Sequence, residues 1–374
     1  MKKWLLVFNL FFCNYVLLSQ QDTLSITNHF YGIEADYFYG NILEHNPDLG
    51  HLILGHPQGI SVAFNKKTFG EKAWQRLYNY PDVGVTFIFQ DTNAPYLGEQ
   101  YSINGHYNFY FLKRNVSLSL GQGLSYVTDP YDAVDNFNNI AYGSSLVTSM
   151  FAKISYRKDR IIGGLGIHAG IELIHFSNGN IRAPNTSTNT FAATIGVHYD
   201  VDSEDVPAYI PKQEKDSAGT YKERIKFNLV FRSGVNESNV IGSGQFPFYV
   251  ASAYADKRIN YKSKLQVGLD FFFMKFLEEY IRFRSIAFPG DGLSGDEDYK
   301  QVGLFIGHEL LFNKTAFVSQ LGYYVYYPYD FEGRVYNRLG LKRYLLKDQF
   351  YATIAVKSIW AKAEAIEFGI GIRI

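Results

Sequence analysis

The chain has 374 residues, with 36 Lys+Arg against 36 Asp+Glu, 17% aromatic and only 19% charged residues. That balance gives no electrostatic case for nucleic acid as a partner, and a single cysteine excludes a disulfide framework. With 30 Tyr, 31 Phe and 33 Gly, and no apolar run of helix-spanning length beyond the leader, two classes remain: a secreted β-sandwich or an outer-membrane β-barrel.

The first twenty residues, MKKWLLVFNLFFCNYVLLSQ, place Lys2 and Lys3 before the mostly apolar Trp4–Leu18, with the polar Gln20–Gln21–Asp22 following. This is the layout of a signal peptide, so residues 1–20 are set apart from the fold. Cys13 follows the bulky Phe11 and Phe12 rather than the small residues of a lipoprotein site. Loss of Lys2 and Lys3 leaves 34 basic against 36 acidic residues, a net charge of 34 − 36 = −2 for the processed chain.

Alternation then separates barrel from sandwich. In Asp82–Gln90, Val83, Val85, Phe87 and Phe89 share one face against Asp82, Gly84, Thr86 and Gln90, with Ile88 out of pattern. In Tyr101–Phe111 the odd positions are aromatic, aliphatic or Gly, while Ser102, Asn104, His106, Asn108 and Tyr110 oppose them. Phe227, Leu229 and Phe231 alternate with Lys226, Asn228 and Arg232, Val230 excepted. The chain ends on EFGIGIRI, with Phe368, Ile370, Ile372 and Ile374 on one face. Period-2 segments of this length, apolar on one side only, are the signature of a transmembrane barrel, and a closing terminal strand removes the sheet edge.

Turn residues at Asn65–Lys67, Asp91–Asn93, Arg157–Asp159, Asn260–Lys262 and Asn313–Lys314 punctuate the runs. The expected fold is therefore all-β, a transmembrane antiparallel outer-membrane β-barrel of about fourteen strands (range 8–16). Eight strands fall before residue 201, in an N-terminal barrel half spanning 21–201, and six fall in C-terminal barrel strands within 223–374. The polar, two-proline stretch 202–222 between them is a loop or linker, long for a periplasmic turn, that divides two halves of one barrel or carries a small plug. KFLEEYIRFR at 275–284 has helix-compatible charge spacing but is read as a strand extended beyond the membrane. PGDGLSGDEDYK at 289–300 lacks calcium-loop spacing and is read as an extracellular loop.

One stretch carries chemistry. Taking Ile161–Ser177 as a single strand, the seventh, its odd positions are apolar up to Leu173 and end in His175 and Ser177. His168 and Glu172 lie on the even face, which would be the lumen. In the next strand Asn189 begins the lipid face, so a hairpin closed by 178–188 would return it beside His175 and Ser177. Three polar side chains would then meet outside the barrel, a candidate nucleophile, base and orienter. The competing reading is that His and Ser merely end a strand at the interface.

The segment His175–Phe176–Ser177–Asn178, followed by Pro184–Asn185 and Asn189, resembles the active-site segment of outer-membrane lipid A 3-O-deacylases, the acyloxyacyl hydrolase family. The resemblance is strong over about 160–200, moderate back to about residue 80, and faint beyond 220, although Trp360–Ile374 is similar to the last strand of longer relatives. It implies Ser177 as nucleophile, His175 as general base, and an oxyanion hole from the Asn178 N–H and Asn185. Asn189 departs from the family pattern, where a carboxylate stands; an amide oxygen can orient the imidazole but cannot stabilise an imidazolium by charge. The resemblance implies a serine esterase in the outer membrane of a Gram-negative bacterium, acting on ester-linked acyl chains of lipid A in the outer leaflet. No Cys or His cluster suggests zinc, and no metal or cofactor is expected. The alternatives are a non-enzymatic channel or transporter barrel and an outer-membrane phospholipase.

Overall fold

A computed structural model describes residues 30–201, 206–213, 223–360 and 362–374. The leader segment 1–20, and most of the polar stretch 202–222, lie outside the described residues. Among the described residues, sixteen strands form two closed antiparallel barrels of eight, each strand paired to its neighbour in chain order. The first contains β1 (Tyr31–Ile42), β2 (Gln58–Lys66), β3 (Asp82–Asp91), β4 (Glu99–Phe111), β5 (Val116–Val127), β6 (Leu146–Ile162), β7 (Leu165–Ser177) and β8 (Thr188–Asp200). The second contains β9 (Lys226–Glu237), β10 (Gln245–Arg258), β11 (Ser263–Met274), β12 (Lys300–Phe312), β13 (Thr315–Tyr326), β14 (Val335–Leu345), β15 (Phe350–Ile359) and β16 (Lys362–Arg373). β8 closes onto β1, and β16 onto β9.

The expectation of one barrel of about fourteen strands is corrected here. The eight strands before residue 201 stand, but the C-terminal part holds eight rather than six and closes on itself. A strand total does not say where a sheet closes; closure depends on the register of β8 on β1, a pairing between residues about 160 apart that local alternation does not encode. The stretch after β8 joins two barrels instead of two halves of one. Its described portion lies against the terminal end of the first barrel, where Ile210 N–H donates to Phe69 O (2.8 Å) and Tyr80 Oη donates to Ile210 O (2.7 Å).

Two local expectations also change. Arg157–Asp159 is not a turn: β6 runs on to Ile162, and the reversal falls at Gly163–Gly164, so Ile161–Ser177 is two strands. Arg157, buried in the lumen, instead pairs at 2.8 Å with Asp159, which is exposed. Residues 275–287 form a helix rather than a strand extension. Its Lys275–Glu278 and Glu279–Arg282 pairs are spaced i,i+3, while Phe276, Leu277 and Ile281 are buried against the second barrel's apolar cap.

Alternation holds along most strands. Exposed apolar side chains such as Ile33, Tyr37, Phe64, Phe87, Ile103, Ile171, Leu173, Leu229 and Phe231 cover the outside, the surface that a transmembrane barrel turns to lipid. The two exceptions have inward roles. Ile88 joins Phe38, Ile42, Leu49, Leu97, Tyr142, Ile174 and Phe176 in an apolar cluster that fills the site end of the first barrel, and Val230 joins Tyr254, Phe305 and Tyr351 in the second.

Both lumens are filled largely by polar side chains, most of them bonded to one another, with a few buried atoms such as one Glu172 oxygen left without a hydrogen bond. In the first, Lys153 and His168 hold Asp36 (2.7 and 2.5 Å), and Arg157 holds Glu34 (3.1 Å). In the second, Arg338, 1% exposed on its side chain, donates to Glu367 (2.6 and 3.1 Å), Asp270 (2.9 Å) and Gln320 (2.7 Å). Eight-stranded barrels have room for side chains but not for a water-filled pore. Removing Arg338 would leave Asp270 and Glu367 facing only the more distant Arg232, at 3.8 and 3.6 Å, so Arg338→Ala is expected to destabilise the second barrel by about 3 kcal/mol. Urea unfolding in detergent micelles, followed by electrophoretic mobility, checks this; an unchanged midpoint refutes it.

Candidate active site

β7 delivers the site. Its outer face runs Leu165, Ile167, Ala169, Ile171 and Leu173, and then turns polar at the half-buried His175. Hydrogen-bond register places Asn189, near the start of β8, directly opposite His175. Cross-strand neighbours on one face lie within side-chain reach, and the His175 Nδ1 to Asn189 Oδ1 distance is 2.8 Å. An amide oxygen can only accept, so this contact assigns the proton to Nδ1 and leaves Nε2 with a free lone pair.

Ser177 keeps the parity of the outer face but is only 4% exposed. The loop after it folds over it: Ser177 Oγ donates to Asn185 Oδ1 (3.1 Å) and accepts from Gly179 N–H (3.0 Å). Asn185 Oδ1 also accepts from Asn178 N–H at 2.9 Å. The Asn178 side chain donates to Arg182 O (2.6 Å), which ties off the turn. Thr148 on β6 anchors Ser177 from the other side by donating to its carbonyl (2.8 Å).

Two separate groupings thus emerge from the five residues singled out in the sequence. His175 and Asn189 are bonded to each other; Ser177, Asn178 and Asn185 are bonded together. Among the described residues no hydrogen bond joins Ser177 to His175. Glu172 is in the lumen, buried with one carboxylate oxygen unpaired, on the opposite face from His175.

Sequence reasoning missed His45, which lies in the loop after β1. Its Nδ1 is 3.2 Å from Asn189 Nδ2 and its Nε2 is 3.0 Å from Thr186 O. With its proton on Nε2, His45 donates to Thr186 O and its Nδ1 accepts from the Asn189 amide, whose oxygen then faces His175; in the other tautomer Nδ1 donates instead to Leu43 O at 3.2 Å. Nothing local flags His45; it is 144 residues from Asn189 and reaches it only because β1 closes onto β8. Tyr142, fully buried in the loop before β6, was also missed; its hydroxyl bonds Thr188.

One group among the described residues has metal-ligand spacing: Glu34, Asp36 and His168, with ligand atoms within 4.8 Å of one another. It lies inside the first barrel, where Lys153 and Arg157 already supply the positive charge these carboxylates need. It does not adjoin His175, which faces outward.

Comparison with known proteins bears on this arrangement. A family model described as lipid A 3-O-deacylase (PagL) matches residues 58–198, which include all five site residues, and one described as acyloxyacyl hydrolase, C-terminal domain, matches residues 225–374. The chain belongs to the lipid A 3-O-deacylase family. The two matches divide where the two barrels divide. Comparison with curated proteins finds no significant match. Solved structures that resemble it include Neisserial surface protein A, at 16% identity over 45% of this chain and 96% of that chain with a TM-score of 0.26. A mutant Rh. blastica porin (10% identity, 92% and 99% covered, TM-score 0.18) and CdiB from Acinetobacter baumannii (11%, 92% and 60%, TM-score 0.19) are also similar.

Gly179 is held in the left-handed region (φ 62°), a conformation that costs a side-chain-bearing residue roughly 1–2 kcal/mol. A Cβ there would also lie 2.3 Å from Ile366 Cγ1 of β16. Gly179→Ala is expected to lower the unfolding free energy by at least about 1–2 kcal/mol, read from the urea midpoint in detergent micelles; an unaltered midpoint would show that the loop relaxes freely.

Proposed function

We propose that this protein is an outer-membrane serine esterase that removes ester-linked acyl chains from lipid A. The observation that carries the proposal is the His175–Asn189 pair on the lipid-facing wall, its histidine two residues before Ser177, within the segment matched by the deacylase family. An outward-facing site suits a substrate whose acyl chains already lie in the membrane. The filled lumens disfavour a channel.

In the proposed reaction, Ser177 turns its hydroxyl from Asn185 to His175 Nε2. Hydrogen bonds of this kind are often long or misaligned before substrate binds. His175 takes the proton as Ser177 Oγ attacks the ester carbonyl, and the sugar oxygen leaves with that proton. Water then attacks the acyl-enzyme by the same route and releases the fatty acid. The developing oxyanion needs donors. Without substrate, Asn185 Oδ1 fills the acceptor position, taking the Asn178 N–H and the serine hydroxyl. A half-turn of the Asn185 amide exposes the Asn178 N–H and presents Nδ2 as a second donor. His45 takes part of the role a carboxylate would have, since it fixes the Asn189 amide so that its oxygen meets His175.

The test uses purified protein in vesicles of phospholipid and lipid A, with mass spectrometry of both lipids. Ser177→Ala is expected to abolish fatty-acid release, His175→Ala to lower kcat by about 10²–10⁴, and Asn185→Ala by about 10²–10³ as one oxyanion donor is lost. Release by Ser177→Ala at the wild-type rate refutes the esterase. Acyl loss from phospholipid with lipid A intact would identify a phospholipase instead.

A further inference from the structure

The loop carrying Ser177, Asn178 and Asn185 is held by both barrels. At its tip, Asn180 exchanges two hydrogen bonds with Glu237, the last residue of β9 in the second barrel. Glu237 N–H donates to Asn180 O (3.0 Å), and the Asn180 amide donates to Glu237 O (2.9 Å). The Glu237 side chain reaches further. Its Oε2 accepts from Ala183 N–H at 2.9 Å, and its Oε1 accepts from Gly244 N–H, on the second barrel's own loop, at 3.2 Å. Glu237 is 3% exposed, and among the described residues no salt bridge reaches it.

A carboxylate buried without a cation is costly unless donors satisfy it. Apolar packing alone, such as the close approach of Gly179 to Ile366, would suffice to hold two barrels together. The carboxylate does something packing does not: it fixes one backbone N–H in the middle of the site loop. Ala183 follows Arg182, whose carbonyl ties the Asn178 side chain, and precedes Asn185 by two residues, whose amide meets both Ser177 and Asn178 N–H. Fixing Ala183 therefore fixes the spacing between the two oxyanion-hole candidates.

We propose that Glu237 is a positioning residue for the esterase site, and that the second barrel completes that site by holding its loop from outside the first barrel. The proposal rests on the esterase reading of Ser177. It gives the second barrel a part in a site whose proposed nucleophile, base and orienter all lie in the first.

The experiment measures kcat and KM of the full-length protein on lipid A in phospholipid vesicles for wild type, Glu237→Ala, Glu237→Gln and Ser177→Ala. Glu237→Ala is expected to lower kcat by about tenfold to a hundredfold, the cost of a roughly 1 Å misplacement, with KM within about twofold. Glu237→Gln, which keeps one acceptor oxygen, should fall between the two. Wild-type kcat in Glu237→Ala beside an inactive Ser177→Ala overturns the positioning role and leaves the esterase standing, as does a raised KM at unchanged kcat. Full activity in Ser177→Ala overturns the esterase and this role with it. If Glu237→Ala does not fold, Glu237→Gln decides: lowered kcat at wild-type KM supports the role, and unchanged kcat overturns it.

Discussion

Hydrocarbon offers no hydrogen-bond partner to a backbone amide, so a strand that crosses a membrane must have both edges paired. In this protein that constraint is met twice, by β8 on β1 and by β16 on β9. Much else depends on those two closures. They turn one face of every strand to lipid and the other inward, where eight strands leave space for packed side chains only. They also bring the loop after β1 next to the start of β8, which puts His45 against Asn189.

The two faces solve opposite problems. Outside, apolar side chains need no partners. Inside, charges removed from water require near-complete pairing, and the Arg338–Asp270–Glu367 and Lys342–Glu309–Tyr344 networks supply it in the second barrel. The candidate site belongs to neither interior. It sits where the lipid-facing stripe of β7 ends, and the polar residues there are satisfied by the loop that folds over Ser177. A polar cluster can persist on that wall only at the rim, where its bonds are local.

The contact between the barrels has two regions. At the site end it is made by polar bonds from Glu237 and Gln245 to the site loop. At the end bearing the termini it is aromatic: Tyr78 packs on Phe312 with centroids 4.6 Å apart and donates to Leu311 O at 3.0 Å. The aromatic region fixes one backbone carbonyl through Tyr78, whereas the polar region fixes several backbone groups of the site loop. Precise placement is found at the end where the candidate chemistry lies.

Period-2 alternation by itself determined the all-β class, the outer and inner faces of the strands it reached, and the placement of His175 and Asn189 on one outer face with Glu172 on the other. These follow because side-chain direction in a strand is a local property of the backbone. Alternation also put Ser177 on that outer face, while Asn178 and Asn185 were reached only through the resemblance of one short segment. Only the tertiary structure decided that there are two barrels, that Gly163–Gly164 rather than Arg157–Asp159 reverses the chain, and that residues 275–287 are helical. Those outcomes depend on register and on packing against distant residues. The roles of His45 and Glu237 were hidden for the same reason: each meets the site across a closure or an interface that no local pattern records.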